Sequence, residues 1–427
     1  MTALRSTELR TPIDELAQPV VSDPAPVPVL GPRRAVEVAR ELGARFAAGA
    51  AERDRGRVLP VEQVEQLSAS GLLAVTVPKE YGGADLPVET LAEVVRLIAA
   101  GDPNVAQIPH SHFVYVNVLR EQGTPQQKER LFHDVLRGAR FGNAQSEIGS
   151  KHVRDHATTL RPIGPRVGGG SARAAEWVLD GTKGYCTGAL FAHWIPVLAH
   201  LDDEGPLHVA WVERTAPGVS VVDDWDGVGQ RTTASGTVRL DGVRVRSDLI
   251  TPYHLTFDRP QTFGAFAQLL HAAIDAGIAR AALADAAEFV TTKSRPYPDA
   301  GVDRAADDPL VVHAFGELEV QVRAAEALVT EAGRRIDEAD TDLDASTAGR
   351  ASLAVAAARA ATTAASVEAG SRLFEVCGTR SALASLVLDR HWRNARTHTL
   401  HDPAAWKIQH LGRYAIDGTL PPRHGQL

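Results

Sequence analysis

The order in which hydrophobic periodicities follow one another constrains this chain more than any single motif. From Pro32 onward apolar residues recur at helical spacing, first in "RRAVEVARELGARFAAGAAERDR" and then in "PVEQVEQLSASGLLAV", which opens at a proline and stops at Gly71. Further helices are predicted over about 88–101, 103–123 and the segment "TPQQKERLFHDVLRG", with Thr124 placed to cap the last. Between about 140 and 255 the texture changes to short β-branched and aromatic runs, "EWVLDGTKGYCTG", "WIPVLAHL", "LHVAWVER", "GVSVVDDW" and "TVRLDGVRV", separated by Gly, Pro and Asp turns. Long helices return over 261–294, 307–340 and 345–376, with shorter ones after 380. Helical, β, helical is an α+β order. It lacks the βαβ alternation of a doubly wound nucleotide fold.

The expected units are a Pro-rich arm over 1–31, mobile or draped on the surface, a helical domain over 32–139, an antiparallel β domain over 140–256 and a helical domain over 257–427. Nucleotide motifs are missing from their places. "GVGQRT" at 227–232 lacks the third glycine and sits between strands, and "RVGGGSARAAEW" lacks the lysine of a P-loop and reads as a solvated hairpin loop. A formal charge of −8 argues against nucleic acid and anionic membranes as partners. Two cysteines, Cys186 and Cys377, exclude a disulfide scaffold and fit a reducing compartment. The N-terminus lacks an apolar signal segment and the Ala-rich "SLAVAAARAATTAAS" is broken by Arg359, so the expectation is a soluble, cytoplasmic protein.

The segment most open to chemistry is "RNARTHTLHDPAAWK", 393–407, which places His398 and His401 three apart, then Asp402 and Pro403. A His-x-x-His pair can ligate metal, but no third ligand stands at a telling spacing, so no metal is expected. His401 can also brace a turn, with Asp402 as N-cap ahead of a proline at the first helical position.

Several segments together resemble the acyl-CoA dehydrogenase flavoprotein superfamily: "VPKEYGG" (77–83), "LDGTKGYCTGA" (179–189) and "RLDGVRV" (239–245), in the same order and spacing. The resemblance covers nearly everything after residue 32. It implies a helical N-terminal domain, a central antiparallel β-barrel and a C-terminal four-helix bundle, the usual tetramerisation element. Dehydrogenase members place their catalytic Glu in a segment of the form Arg-Asp-Ala-Arg followed by Tyr-Glu-Gly-Thr. Here that stretch reads "RNARTHTLHDPA", so Glu becomes Asp402, Tyr becomes His401 and Gly becomes Pro403. A shorter acid on a proline-stiffened turn is poorly matched to abstracting a carbon-bound proton. Together with "GNA" (142–144), "WDGVGQRTTASGT" (225–237) and "SRP" (294–296), the segment is similar instead to the flavin monooxygenases typified by dibenzothiophene monooxygenase and the sulfur-acquisition oxidoreductases.

This narrower resemblance implies reduced FMN supplied in trans by a separate NAD(P)H:FMN reductase, O2 as second substrate, a C4a-hydroperoxyflavin, a small organosulfur substrate and a homotetramer. Histidine suits the holding of a peroxide and the return of a proton, which makes His401 the first catalytic candidate and His398 the second. The helical domain of the family contributes a His and a Tyr at the flavin. In "IPHSHFVY" these are His112, with His110 as alternative on the substrate side, and Tyr115, for which aromatic packing is an equal reading. Asn143 and Thr187 correspond to polar groups facing the flavin, while Cys186 points to the opposite face of its strand. Trp225 corresponds to a wall of the substrate cavity or to a core aromatic. Arg380, Ser381 and Arg295 are the phosphate candidates. Thr379 in place of a second glycine favours FMN over FAD. The alternatives are an FAD-dependent acyl-CoA dehydrogenase using Asp402 as base and a non-catalytic flavin-binding homologue. Thiophene ring, alkyl sulfone and nitrogen centre all remain open as substrates.

Overall fold

The computed structural model describes Pro19, residues 21–149, His152, residues 155–164 and residues 175–425. The glycine-rich loop reading falls mainly on 165–174, and most of the Pro-rich arm on 1–18, outside the described residues. Seven helices come first: α1 (Pro32–Ala47), α2 (Ala50–Gly56), α3 (Val61–Ala69), α4 (Val88–Gly101), α5 (Pro103–Gln107), α6 (His110–Gln122) and α7 (Pro125–Leu136). The single helix expected over 103–123 is two, because Pro109 has no N–H to donate. That break puts Gln107 at the end of one helix and His110 at the start of the next.

Residues 21–31 lie extended against this domain. Val27 N donates to Leu136 O at 3.1 Å, and Leu30 is buried. Gly71, which ends the α3 segment, has φ +83°, and a Cβ there would stand 2.2 Å from Pro28 O. Only glycine meets both demands. Thr124 caps α7 as the sequence predicts: its hydroxyl accepts from Gln127 N at 3.2 Å while Gln127 Oε1 accepts from Thr124 N at 2.9 Å. The Gln127 amide then donates to Asp248 O and Ile250 O, tying the helical domain to the sheet.

All five strands read from the sequence form, as β2 (Glu176–Lys183), β3 (Trp194–Leu201), β4 (Leu207–Glu213), β5 (Val219–Val222) and β6 (Thr237–Arg246). Two more join them, β1 (Thr159–Ile163) and β7 (Ile250–Thr251). The order is β5-β6-β2-β1-β3-β4-β7, and β1 pairs with β3 in parallel. The sheet is therefore mixed and, among the described residues, open, not the antiparallel barrel expected. Pro162 conceals β1 in the sequence; it is tolerated because β3 pairs only with Thr159 and Leu160.

The C-terminal part holds three long helices, α8 (Phe263–Thr292), α9 (Pro309–Thr341) and α10 (Ala345–Cys377), crossed by α11 (Arg390–His398) and α12 (Ala404–Asp417). This differs from a simple four-helix bundle. Every residue of α8 from Phe263 to Ala279 is buried, so the helix has no solvent face over that stretch. One apolar core runs from Leu30 and Phe46 through Leu91 and Ile98 to Leu269, Ile274 and Val355, and joins the helices on either side of the sheet. No helix among the described residues is long and apolar enough to cross a membrane.

Replacing Thr124 by Ala should lower stability by about 1 kcal/mol. Gly71→Ala should lower the thermal midpoint further and expose residues 21–31 to proteolysis, both read by circular dichroism and limited digestion.

Candidate active site

Sequence reasoning paired His398 with His401, and the fold adds two more imidazoles. His398 closes α11, His401 lies in the turn before α12, His271 projects from α8 and His110 opens α6. His110 and His271 stack with ring centroids 3.9 Å apart, and His271 is 4.5 Å from His401 and 5.1 Å from His398. His401 Nδ1 donates to His398 O at 2.8 Å, and its Nε2 meets Gln107 Nε2 at 3.2 Å. The other atom of that carboxamide, Gln107 Oε1, faces His398 Nε2 at 3.1 Å, and His271 Nδ1 faces the same nitrogen at 3.1 Å. The third imidazole that the metal reading lacked is thus present as His271. Its nitrogen, however, is engaged by His398, and Gln107 stands between the other two rings. Burial lowers His110 to about 4 and His271 well below the ordinary histidine range. His401 is the member that reaches solvent.

Behind the imidazoles runs a chain of buried charges. Asp275 Oδ1 sits 2.6 Å from His398 Nδ1 and its Oδ2 2.5 Å from Arg359. Arg359 continues to Asp402 at 3.2 Å, and Asp402 to Lys407 at 2.7 Å. Burial alone would raise the Asp402 carboxyl, but Arg359 and Lys407 outweigh it and hold it below the usual carboxylate range. The capping role read for Asp402 is therefore corrected, since the α12 cap is Pro403 without any side-chain bond. His271, Asp275 and Arg359 left a signal in the sequence: polar residues inside all-apolar helical stretches, "LLHAAID" and "AAARAATT".

The segment 223–236 lies beside this cluster. Gly229 N donates to Thr397 Oγ1 at 2.9 Å, Gln230 N to Asn394 Oδ1 at 2.7 Å and Thr232 N to Asn104 Oδ1 at 3.2 Å. A Cβ on Gly229 would fall 1.9 Å from Arg393 O, so the segment seats directly on α11. It carries a hydroxyl chain, Thr187 to Ser235 at 2.6 Å and Ser235 to Thr233 at 2.7 Å. Trp225 donates from Nε1 to Gln230 O and leans edge-on to Tyr185, whose carbonyl accepts from Asn143 Nδ2. Asn143 Oδ1, both amide atoms of Gln230 and Thr232 Oγ1 have no partner among the described residues. A flavin ring edge presents one N–H and several carbonyl and imine acceptors, which suits this mixture of unpaired acceptors and donors.

Five expected residues stand apart. His112 donates from Nε2 to Leu73 O at 2.8 Å and accepts at Nδ1 from Phe141 N at 3.1 Å, so both nitrogens serve the backbone. His110, the alternative, is the one that joins the imidazole cluster, stacked on His271. Tyr115 is a core aromatic, edge-on to Trp211. Arg380 donates to Lys293 O, Ser381 to Gly378 O, and Arg295 is exposed. These three lie past the far end of α8, about 30 Å along the helix from His271. That is further than one FMN extends, so a single chain cannot engage both groups with one flavin.

Burial lowers His112 to about 4, against 6.5 for the free side chain. The unfolded chain therefore binds this proton first on acidification. The stability is complete above pH 6.5 and falls as pH drops towards 4, by roughly 3 kcal/mol from this group. His112→Gln should flatten that slope in denaturant titrations between pH 7 and 4. Arg359→Met, which leaves Asp275 and Asp402 short of a cation, should cost about 3–5 kcal/mol.

Residues 33–139 match the acyl-CoA dehydrogenase N-terminal domain and residues 269–405 the acyl-CoA dehydrogenase C-terminal domain. A dibenzothiophene monooxygenase of Mycolicibacterium goodii is 35% identical over 401 residues, 90% of this chain and 94% of the relative. A probable FMNH2-dependent monooxygenase of Pseudomonas putida, SfnC, is 31% identical over 91% of this chain and 96% of its own length. The FMN-bound crystal structure of TdsC from Paenibacillus sp. A11-2 superposes with a TM-score of 0.85 at 32% identity, covering 92% of this chain and all of that one. Matched in both of these domains and 35% identical to a dibenzothiophene monooxygenase over 90% of its length, the chain belongs to the acyl-CoA dehydrogenase superfamily, among its flavin-dependent monooxygenases.

Proposed function

We propose that this protein oxygenates a small organosulfur compound, using O2 and reduced FMN delivered by a separate NAD(P)H-dependent flavin reductase. The observation that carries the reading is the state of the "THTLHDPA" turn. Its one carboxylate, Asp402, is held between Arg359 and Lys407, while four imidazoles gather at the same place. A clamped, ionised Asp402 is a poor base for a carbon-bound proton, which disfavours the FAD-dependent acyl-CoA dehydrogenase reading. A buried cluster that holds three rings neutral disfavours a non-catalytic module, because such a cluster costs stability for no structural return.

When bound, reduced FMN activates O2 and passes one oxygen atom to a nucleophilic heteroatom. The protein's own tasks are narrower. Asn143, Gln230 and the hydroxyls of Thr187, Ser235 and Thr232 would bind the ring edge. Trp225 and Tyr185 wall that edge and keep water from it. His401, neutral and solvent-reaching, is placed to donate and accept a proton there, with His110 and His271 stacked behind it. Arg295, Arg380 and Ser381, if they hold a phosphate, hold that of another copy's flavin. A homotetramer supplies such an arrangement, and exposed Trp406, Ile408 and Ile416 on α12 give it an apolar contact face. A cytoplasmic setting fits the two buried free thiols.

Incubation with FMN, a flavin reductase, NADH, O2 and dibenzothiophene or a short dialkyl sulfide, each with a sulfur lone pair open to attack, should yield product heavier by one oxygen atom per turnover, read by mass spectrometry. FAD with butyryl-CoA should show no flavin bleaching, and bleaching would overturn the reading. His401→Ala should reduce oxygenation by about 100-fold or more while leaving the thermal midpoint within a few degrees of wild type.

A further inference from the structure

The hydrogen bonds around Gln107 fix a proton count. His398 Nδ1 faces the Asp275 carboxylate and must carry a hydrogen, and His401 Nδ1 faces a carbonyl and must carry one too. Each ring then turns its Nε2 to one end of the same carboxamide. A carboxamide donates at one end and accepts at the other. The imidazole at its oxygen end must therefore be protonated on both nitrogens. With the amide as placed that ring is His398, and its Nε2–H is shared with His271 Nδ1. If the amide turns over, the doubly protonated ring becomes His401. No orientation satisfies every contact with two neutral rings. Both oxygens of Asp275 accept, one from His398 Nδ1 and the other from Arg359, so the extra proton has no place there.

We propose that Gln107 is a proton selector: it bridges two imidazoles that together hold one proton beyond neutrality, and its orientation decides which is the acid. In one orientation the charge lies inside, on His398 against Asp275. In the other, with the amide turned over, a proton has moved from His398 Nε2 to His401 Nε2, at the solvent-reaching edge of the site, and His271 has taken its Nδ1–H tautomer to donate to the vacated His398 Nε2. The groups facing the pair are Asp275 and His271 from α8, His110 from α6, Arg359 from α10, Asp402 from the turn and Lys407 from α12. Asp275 and Asp402 are matched by Arg359 and Lys407, which leaves the extra proton as the net charge of the cluster. Burial keeps His110 and His271 neutral, so neither competes for it. Gln107 is a positioning residue in this scheme, and His401 the acid it serves.

The proton count rests on geometry alone, whereas its use as an acid rests on the oxygenation reading above. The whole protein, labelled with 15N-histidine, should therefore be studied by solid-state NMR at pH 8, where exposed histidines are neutral. Wild type should show one imidazolium signal. Gln107→Met, which removes both ends of the bridge at nearly constant volume, should lose it. Gln107→Glu, which accepts at both ends, should raise it to two. Wild type with all rings neutral, or a signal indifferent to both substitutions, would falsify the proposal whatever the enzyme's activity. In the reductase-coupled assay Gln107→Met should lose about 100-fold at pH 8 and recover part of that loss at lower pH. A purely structural role would lower the rate equally at every pH. Absence of oxygenation by wild type would sink the functional reading and leave the NMR result standing.

Discussion

The Asp275–Arg359 ion pair is the interaction on which the rest of this structure depends. Both side chains are almost wholly buried, and each has a second partner of opposite charge: His398 for Asp275 and Asp402 for Arg359. One pair thereby fixes four pieces of chain, α8, α10, the end of α11 and the turn before α12. Taking such charges out of water is unfavourable, and an apolar pair of equal volume would pack there with no such loss. What the ions provide is direction. The carboxylate aims one ring of the cluster, and the guanidinium removes Asp402 from any competing role.

The comparison with a dehydrogenase is most informative at this point. In that chemistry a carboxylate must approach substrate carbon, so it must be unclamped and near the flavin. Here Lys407, one turn into α12, reaches back to Asp402 and is itself buried. Two cations on one acid leave it fully ionised and held in place. The proton-handling groups that remain are imidazoles, whose neutral form both donates and accepts. The His-Asp-Pro turn thus carries a structural ion in Asp402 and, in His401, the ring that faces outward.

Much of the architecture was legible because periodicity is local. The helical boundaries at Gly71 and Thr124 and five of seven strands follow from neighbours in sequence. β1 was hidden by Pro162, and its parallel pairing with β3 depends on a crossover that no local pattern encodes. In the site, His398 and His401 were visible as a spaced pair on one turn. Their partners were not, because Gln107, His271, Asp275 and Arg359 lie up to 294 positions away and meet only through packing. Which of His110 and His112 joins the cluster was hidden for a related reason. Two residues on one helix point to opposite sides, and only Pro109, which sets where α6 begins, decides which one faces α8. The Ala-rich stretch of α10, equally readable as an oligomer surface, packs Ala351, Val355 and Ala358 into the core shared with α8 and sets Arg359 beside Asp275.

Exposure within the cluster sets the direction in which protons move. His398, His271 and Gln107 are buried, and His401 reaches solvent, so exchange with water is fastest through His401. A charge left on that ring has water nearby and is lost readily. A charge on His398 has the Asp275 carboxylate 2.6 Å away on one side and no solvent beside it. A reaction that consumes one proton at the outer ring needs both properties, a donor that solvent can refill and a reserve that solvent does not drain. Segment 223–236, which carries the unpaired side chains of Gln230 and Thr232, is seated through Gly229 on α11, the helix that ends at His398.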